Sequence, residues 1–389
     1  MTYVANSLIE RAAHVAAVAA RHADSVDREG RFPHEARRAL ADARLFGAMI
    51  PKEHGGEGAA LSDIAEICCQ LAQACASTGM IYAMHQIKAS SLIEHGAGAP
   101  WHEDFMRRVA TEQLLLGSAT TEGGIGGDLR NSICAVVTEG ERFTLEKNAT
   151  VISYGADADA ILVTARRALE AASSDQVMVV LRKQDYTLEK TSGWDTLGMR
   201  GTCSDGYLLK SAGATAQVLP QPFAEIAAQS MLAMAHLLWS SLWFGIASSA
   251  FGKAQAFVRA EARRAPGKTP PGALRLAEAG EKLQVMRSTI LDGLRRYEEA
   301  KAGGDDLGSM SFVLAMNNVK TAASQTMIEV VNLCLMICGI AGYKNDTPFS
   351  LGRELRDALS APIMINNDRI LSNSATLLLA HRVEQRLAV

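Results

Sequence analysis

Hydrophobic positions change their spacing along the chain of 389 residues, and the first region has helical spacing. Over 8–19 the apolar residues recur every three or four positions, the period of an amphipathic helix. The same period returns over 62–75 and again over 78–94. The sequence therefore predicts an N-terminal helical domain over residues 1–115.

The second region, residues 116–219, carries short runs rich in β-branched and apolar residues, separated by turn residues such as Glu139-Gly140. Runs of this length between turn signals are typical of strands. They predict a middle antiparallel β-domain, a small barrel or sandwich. The runs lie at 134–138, 142–145, 160–164 and 176–181.

The third region, residues 220–389, contains long apolar stretches with helical spacing and predicts a C-terminal four-helix bundle. A helical block, a β block and a second helical block together give the α+β fold class, with its elements segregated along the chain. The four predicted helices lie at 231–258, 273–300, 307–341 and 350–384.

The composition limits the classes of molecule that we expect the protein to bind. The formal net charge is −3 and 21% of the residues are charged, so we expect neither a nucleic acid nor a membrane surface as partner. No basic segment followed by an apolar core opens the chain, which predicts a cytoplasmic protein. The most hydrophobic stretch, 231–251, is interrupted by polar residues and glycine, and we interpret it as a buried bundle helix.

The cysteines favour packing over metal binding. The chain has seven, and none of them shows the paired spacing of a metal site. Cys334 and Cys338 are four residues apart and would share one face of a helix. We therefore expect reduced thiols packed in the core and no metal.

The candidate chemistry begins in the stretch 119–128, which reads Ala-Thr-Thr-Glu-Gly-Gly-Ile-Gly-Gly-Asp. Glycine lets backbone N–H groups approach a planar or phosphorylated ligand, and threonine hydroxyls can hydrogen-bond the polar rim of a ring. Further blocks follow in order: Val-Ile-Ser-Tyr-Gly at 151–155, Gly-Trp-Asp-Thr-Leu-Gly-Met-Arg-Gly-Thr at 193–202, and Gly-Ile-Ala-Gly-Tyr at 339–343 with Arg-Asp-Ala at 356–358.

These blocks, in this order and at these spacings, resemble the acyl-CoA dehydrogenase superfamily of flavoproteins. The resemblance covers nearly the whole chain and implies a helical domain, a β-domain and a four-helix bundle with FAD between them. It also implies a homo-oligomer, either a tetramer or a dimer, because relatives share the cofactor site across subunits.

The resemblance also implies which residues bind the cofactor. By position, Ser118, Thr120 and Thr121 would line the pyrimidine edge of the flavin. Gly126 and Gly127 would lie along the flavin and the acyl-thioester arm. The remaining positions that it implies are Val151, Ser153, Arg200, Gly339 and Gly342.

Those remaining positions have separate implied roles. Ser153 would face flavin N5, and Val151 replaces the tryptophan that relatives place beside the ring. Arg200 would help to orient the β-domain against the bundle and the cofactor. Gly339 and Gly342 would form the helix break that receives the FAD pyrophosphate of a neighbouring subunit.

The chain departs from the family at the catalytic base. A dehydrogenase must remove the α-proton of its thioester, and the position of the family's glutamate falls on Ile365, or on Asn366 with a slip of one residue. Neither side chain accepts a proton at neutral pH. The candidates for the base are Asp368, His236 and His85.

Three functions remain open from the sequence. The first is an FAD-dependent oxidoreductase that acts on the CH–CH group of an acyl-CoA or acyl-carrier thioester and passes electrons to a protein partner. The second is a two-component monooxygenase of the same fold, supplied with reduced flavin (FMN in place of FAD) by a reductase, with His85 and Ser153 near the flavin. The third is a flavin-binding homologue without catalytic activity.

Overall fold

The computed structural model of the protein describes residues 7–125 and 128–385. It divides the chain into two compact units. The first comprises the residues up to Thr196 together with Arg200–Ala235, and the second comprises Leu197–Met199 and the residues from His236 onward. The predicted domain boundaries at residues 115 and 219 stay a prediction.

The first unit begins with helices, as their apolar spacing predicts. The Ser7 hydroxyl accepts the Glu10 N–H and the Glu10 carboxylate accepts the Ser7 N–H, so a capping box fixes the start of the first helix. The five N-terminal helices are α1 Leu8–Glu29, α2 His34–Asp42, α3 Leu61–Ala74, α4 Ala76–Gly96 and α5 Pro100–Glu112.

Helix α4 is the central element of this helical part, because 18 of its 21 residues are buried. A helix enclosed on every side must provide partners for its polar side chains inside the protein. His85, Lys88 and Ser91 are such side chains, and their contacts define the sites described below.

All seven described strands lie between residues 116 and 214, within the region predicted to be β. One sheet has the order β1-β4-β5 and the other has the order β2-β3-β7-β6. The strands are β1 Leu116–Ala119, β2 Val137–Glu139, β3 Arg142–Ala149, β4 Ala160–Arg166, β5 Gln176–Arg182, β6 Tyr186–Ser192 and β7 Gly206–Ala214.

The expected antiparallel arrangement holds for every strand pair except one. Strand β1 runs parallel to β4, with Leu116 opposite Ala160. Parallel neighbours need a long connection, and the segment between these strands, which contains β2 and β3, is long enough to provide it. In this register the end of β1, at Ala119, lies opposite Val163 in β4.

The first unit closes with α6 Phe223–Ile226, a π-helical turn at Ala227–Met231, and the start of α7 Leu232–Arg264. In the second unit α7 continues and is followed by α8 Ala273–Gly303, α9 Met310–Cys338, α10 Ile340–Tyr343, α11 Gly352–Ala358 and α12 Asn367–Leu378. Gly339, with φ of 54°, lies at the predicted break between α9 and α10.

The prediction of one continuous fourth bundle helix over 350–384 is wrong, because a non-helical segment separates α11 from α12. Pro362 lacks an N–H donor for a continuous helix, and Ile365 has a left-handed backbone with φ of 44°. Asn366 then starts α12 as its N-cap, its side chain accepting the Asp368 N–H.

Two helical segments are long and apolar enough to cross a membrane by length and composition, Phe223–Arg264 and Met310–Cys338. The most hydrophobic window of the first is 83% buried and that of the second is 50% buried. Core helices of soluble proteins pass the same test, so these segments are weak evidence for a membrane span.

Candidate functional site

The Gly-rich stretch after β1 lies against the turn after β3. The Thr121 hydroxyl donates to the Val151 carbonyl at 2.8 Å and accepts the Val151 N–H at 3.4 Å. The Gly123 N–H donates to the Asn148 carbonyl at 3.0 Å. The two blocks that are about thirty residues apart in sequence are therefore neighbours in the fold.

Ser153 belongs to a second group of hydroxyls at this turn. Its Oγ lies 2.8 Å from Ser204 Oγ, which in turn lies 2.9 Å from Thr202 Oγ1. The residue that follows, Tyr154, has a left-handed backbone with φ of 43°. Its N–H donates to the Thr202 carbonyl at 2.8 Å, which holds the turn against the segment around Thr202.

Ser118 and Thr120 differ from these residues because their hydroxyls have no hydrogen-bond partner among the described residues. Both side chains are half-buried at the end of β1. A half-buried hydroxyl without a protein partner is available to a ligand. Ser118, Thr120, Thr121 and Ser153 are together called the hydroxyl rim here. Hydroxyls can hydrogen-bond the polar edge of a flavin ring, and the assignment of these four residues to that edge stays a prediction. Gly126 and Gly127 lie outside the described residues.

His85 holds β1 in place. Its Nδ1 lies 3.1 Å from the Leu116 nitrogen and its Nε2 lies 2.7 Å from the Phe46 carbonyl oxygen. Since the Leu116 N–H donates, Nδ1 accepts, and Nε2 carries the hydrogen that it donates to Phe46. Burial lowers the pKa of His85 to about 4, which keeps the imidazole neutral.

This geometry corrects the assignment of His85 as a base, because both of its ring nitrogens are occupied by the backbone. The Tyr154 hydroxyl donates to the Leu116 carbonyl at 2.9 Å, so side chains occupy both backbone groups of Leu116. His85 thus positions the strand that carries the hydroxyl rim. Its two backbone partners are distant in sequence, and no local pattern revealed them.

His236 is an equally poor proton acceptor. It lies on α7 with 4% of its surface exposed, and burial, together with the nearby Lys320 ammonium, lowers its pKa to about 4. An enclosed imidazole with this pKa is a weak base near neutral pH.

Asp368 is the candidate with an exposed side chain. It lies in the first turn of α12, and its carboxylate has no hydrogen bond or ion pair within the part of the chain that the structure describes. The Ile365 carbonyl, at the position of the family's base, accepts a hydrogen bond from the buried Lys320 ammonium at 2.6 Å. Lys320 thereby fixes the turn that leads to Asp368.

Arg200 is anchored within the first unit. Its Nε donates to the Asp27 carbonyl at 2.8 Å, and its Nη1 donates to the Thr196 carbonyl at 2.6 Å and pairs with Asp195 at 2.8 Å. These contacts join the segment around Arg200 to the C-terminal end of α1. Its role at a cofactor stays a prediction, as do the roles of Gly339 and Gly342.

Glu122, in the Gly-rich stretch, forms a buried ion pair that the sequence motif did not predict. Its carboxylate pairs with Lys147 on β3 at 3.2 Å and accepts the Ser132 hydroxyl at 2.8 Å and the Cys134 N–H at 2.6 Å. Burial alone would raise the pKa of Glu122, but Lys147 and these donors outweigh burial and lower it. The pair ties the Gly-rich stretch to the sheet.

Comparisons with known proteins agree on one family. The model of the acyl-CoA dehydrogenase N-terminal domain matches residues 8–138, and the model of the C-terminal domain matches residues 226–371. The chain is 25% identical to cyclohex-1-ene-1-carbonyl-CoA dehydrogenase of Geobacter metallireducens over 349 residues, 89% of each protein.

Solved structures show the same fold at low sequence identity. Butyryl-CoA dehydrogenase from Megasphaera elsdenii matches with a TM-score of 0.82 and 18% identity, over 97% of this chain and 99% of that one. FMN-bound TdsC from Paenibacillus sp. A11-2, a dibenzothiophene monooxygenase, matches with a TM-score of 0.83 and 19% identity, over 97% and 98%.

The neutral state of His85 predicts a pH dependence of stability. Its pKa is about 4 when folded, so its stabilising contribution is complete above its ordinary value near 6.5 and is lost as the pH falls toward 4. We expect His85→Gln to be less stable than wild type at pH 7.5. Between pH 7.5 and pH 5 the free energy of unfolding should fall in both proteins, and the fall should be about 2 kcal/mol smaller in the variant than in wild type.

Urea unfolding at the two pH values measures this difference, with His14→Gln, an exposed histidine on α1, as the matched control. An identical pH dependence in wild type and His85→Gln would contradict the neutral bridge.

The hydroxyl rim predicts a separation between flavin affinity and stability. Ser118→Ala and Thr120→Val remove hydroxyls without protein partners, so we expect each to weaken FAD binding about 2- to 10-fold while leaving the urea midpoint near that of wild type. Thr121→Val also breaks the bond to the Val151 carbonyl and should lower the free energy of unfolding.

Calorimetric titration of the apoprotein with FAD, beside urea unfolding, checks both quantities. Unchanged affinity in the Ser118 and Thr120 variants would remove these side chains from the cofactor site.

Proposed function

Because the chain belongs to the acyl-CoA dehydrogenase superfamily and is an oxidoreductase of that kind, we propose that it dehydrogenates the CH–CH group of an acyl thioester. The observation that carries this proposal is the hydroxyl rim, where Ser118 and Thr120 have half-buried hydroxyls without protein partners. The Geobacter relative is named as a cyclohex-1-ene-1-carbonyl-CoA dehydrogenase, which supports a thioester of coenzyme A as substrate, and a thioester of an acyl-carrier protein is the alternative.

The family binds FAD, and the hydroxyl rim would hold its polar edge. When bound, the flavin supplies the two-electron redox chemistry. The hydroxyls and backbone N–H groups of the rim would stabilise negative charge on the ring. An electron-transfer protein would accept the electrons.

Asp368 is the proposed proton acceptor. Its carboxylate is exposed and unpaired among the described side chains, whereas His85 and His236 are enclosed. Lys320 holds the preceding turn through the Ala361 and Ile365 carbonyls at 3.1 and 2.6 Å.

A second candidate function is a two-component monooxygenase. The specific observation in its favour is that Ile365 or Asn366 occupies the position of the family's base, so that position has no carboxylate. TdsC, with the same fold, is FMN-bound and is named as a monooxygenase. The protein would then depend on a flavin reductase. A flavin-binding homologue without activity is the third outcome.

We further propose that the protein is a cytoplasmic homo-oligomer, a tetramer or a dimer. Large apolar side chains are exposed on the second unit, and burying them against another copy would be favourable. Those at the end of α9, in α10 and after α12 are Met336, Ile340, Tyr343 and Leu379, with 61 to 90% of their surfaces exposed.

Anaerobic addition of acyl-CoAs tests the reaction directly. We expect saturated acyl-CoAs to bleach the flavin of the wild type. Removal of the general base should slow bleaching in Asp368→Asn by about 10²- to 10⁴-fold. Asp346→Asn, an exposed acid in the same unit, is the matched control and should bleach at the wild-type rate.

Three outcomes separate the candidates. Bleaching that is equally fast in Asp368→Asn would remove Asp368 as the base. No bleaching by any thioester, with oxygen use after reduction by an external reductase, would establish the monooxygenase instead. No reduction by either route would indicate the inactive homologue.

A further inference from the structure

Three lysines are buried among the described residues, and they differ in their partners. Lys88, Lys147 and Lys320 expose 4%, 1% and 0% of their surfaces. Removing an ammonium from water is unfavourable unless acceptors inside the protein replace the water. The hydrogen-bond partners of each lysine therefore indicate whether its ammonium group stabilises the folded state.

Two of the three lysines have full sets of acceptors. Lys147 pairs with the Glu122 carboxylate at 3.2 Å and donates to the Thr164 carbonyl at 2.8 Å. Lys320 donates to two carbonyls of the turn between α11 and α12 and to the Asn367 side chain at 2.6 Å. These two charges are used by the fold.

Lys88 has one partner, the Met231 thioether, with its Nζ 3.2 Å from the sulfur. A thioether is a weak acceptor, and an ammonium has three N–H donors. The other donors have no acceptor within the described chain. Burial lowers the pKa of Lys88 to about 8, so the ammonium form still predominates at neutral pH.

The segment that packs against Lys88 has an irregular backbone, and polar side chains lie near it. Met231 ends the π-helical turn Ala227–Met231, and such turns are frequent at functional sites. Ser230, in the same turn, has its Oγ 3.3 Å from Ser91 Oγ and 3.2 Å from His95 Nε2. Ser91 follows Lys88 by three residues on α4, so the two side chains are neighbours on one face of the helix.

We propose that Lys88 and the π-helical turn form a subsite for a carboxylate, so that the protein acts on acyl thioesters whose acyl group carries a carboxylate at its far end. The thioester part of this proposal rests on the proposed function, and the carboxylate part rests on the incomplete partners of Lys88. Met231 is unbranched and flexible, and its side chain would move aside for the ligand.

The charge balance favours a carboxylate over a phosphate. One ammonium neutralises one carboxylate, and with Met231 moved aside its N–H donors can reach both carboxylate oxygens. A phosphate monoester carries nearly two charges and would leave a net charge in the core. Lys88 also lies one helical turn beyond His85 on α4, so one rigid helix positions both the subsite and the strand of the hydroxyl rim.

Stability separates a binding role from a structural one. If Lys88 is retained for a ligand, Lys88→Met replaces a poorly paired charge with an apolar side chain of similar length. The melting temperature of the ligand-free, flavin-loaded protein should then rise. Lys147→Met, the matched control, should lower it, because Glu122 is left as an unpaired buried charge.

Ligand preference tests the chemistry. We expect glutaryl-CoA and adipyl-CoA to bind the wild type about 10- to 100-fold more tightly than pentanoyl-CoA and hexanoyl-CoA, which have the same chain lengths. Lys88→Met should abolish this preference and leave the affinity for pentanoyl-CoA unchanged. Binding is measured by calorimetry and by the ligand-induced shift in melting temperature, and neither requires turnover.

The outcomes distinguish the two proposals. Equal binding of glutaryl-CoA and pentanoyl-CoA by the wild type would overturn the subsite while leaving the proposed function in place. A fall in melting temperature or a failure to fold in Lys88→Met would assign Lys88 to the fold and also overturn it. Binding of none of the four thioesters would contradict the proposed function itself.

Discussion

The position of the hydroxyl rim depends on one neutral imidazole. Strand β1 has four residues and, among the described strands, pairs with β4 alone, so its own hydrogen bonds fix it weakly. The Leu116 N–H donates to His85 and the Leu116 carbonyl accepts from Tyr154. The preceding N–H, that of Leu115, donates to Asp159 at 2.7 Å. Side chains from α4 and from the loop between β3 and β4 thus anchor the strand, which carries Ser118 and leads directly to Thr120 and Thr121.

Buried polar groups divide into those that complete the fold and those left available for chemistry. His85 hydrogen-bonds to the backbone, and Glu122 and Lys147 pair with each other. Removing one partner of either arrangement would leave a buried polar group without a hydrogen bond. The half-buried Ser118 and Thr120 hydroxyls have no partner among the described residues, and the buried Lys88 ammonium has only the weakly accepting Met231 thioether. Unsatisfied polar groups are unfavourable for the fold alone, which is why they mark the surfaces where we place ligands.

The period of the apolar residues was sufficient to predict the helical and β regions, because burial of one helix face or one strand face imposes that period locally. The order of the Gly-rich blocks was sufficient for the family. Neither predicted that β1 runs parallel to β4, since strand direction depends on the path of the intervening chain. The fourth bundle helix was predicted whole, although Pro362 and the Lys320 hydrogen bonds stabilise a turn there. The bridging role of His85 also depends on Phe46 and Leu116, which are distant in sequence.

Hydrogen exchange with and without FAD measures most directly whether the end of β1 and the turn after β3 hold the cofactor. The hydroxyl rim predicts that FAD slows exchange of the backbone amides in 116–125 and 150–155, while the exposed α8 surface of the second unit changes little. Slower exchange confined to regions away from these two segments, or no change in them at saturating FAD, would contradict a flavin site at the hydroxyl rim.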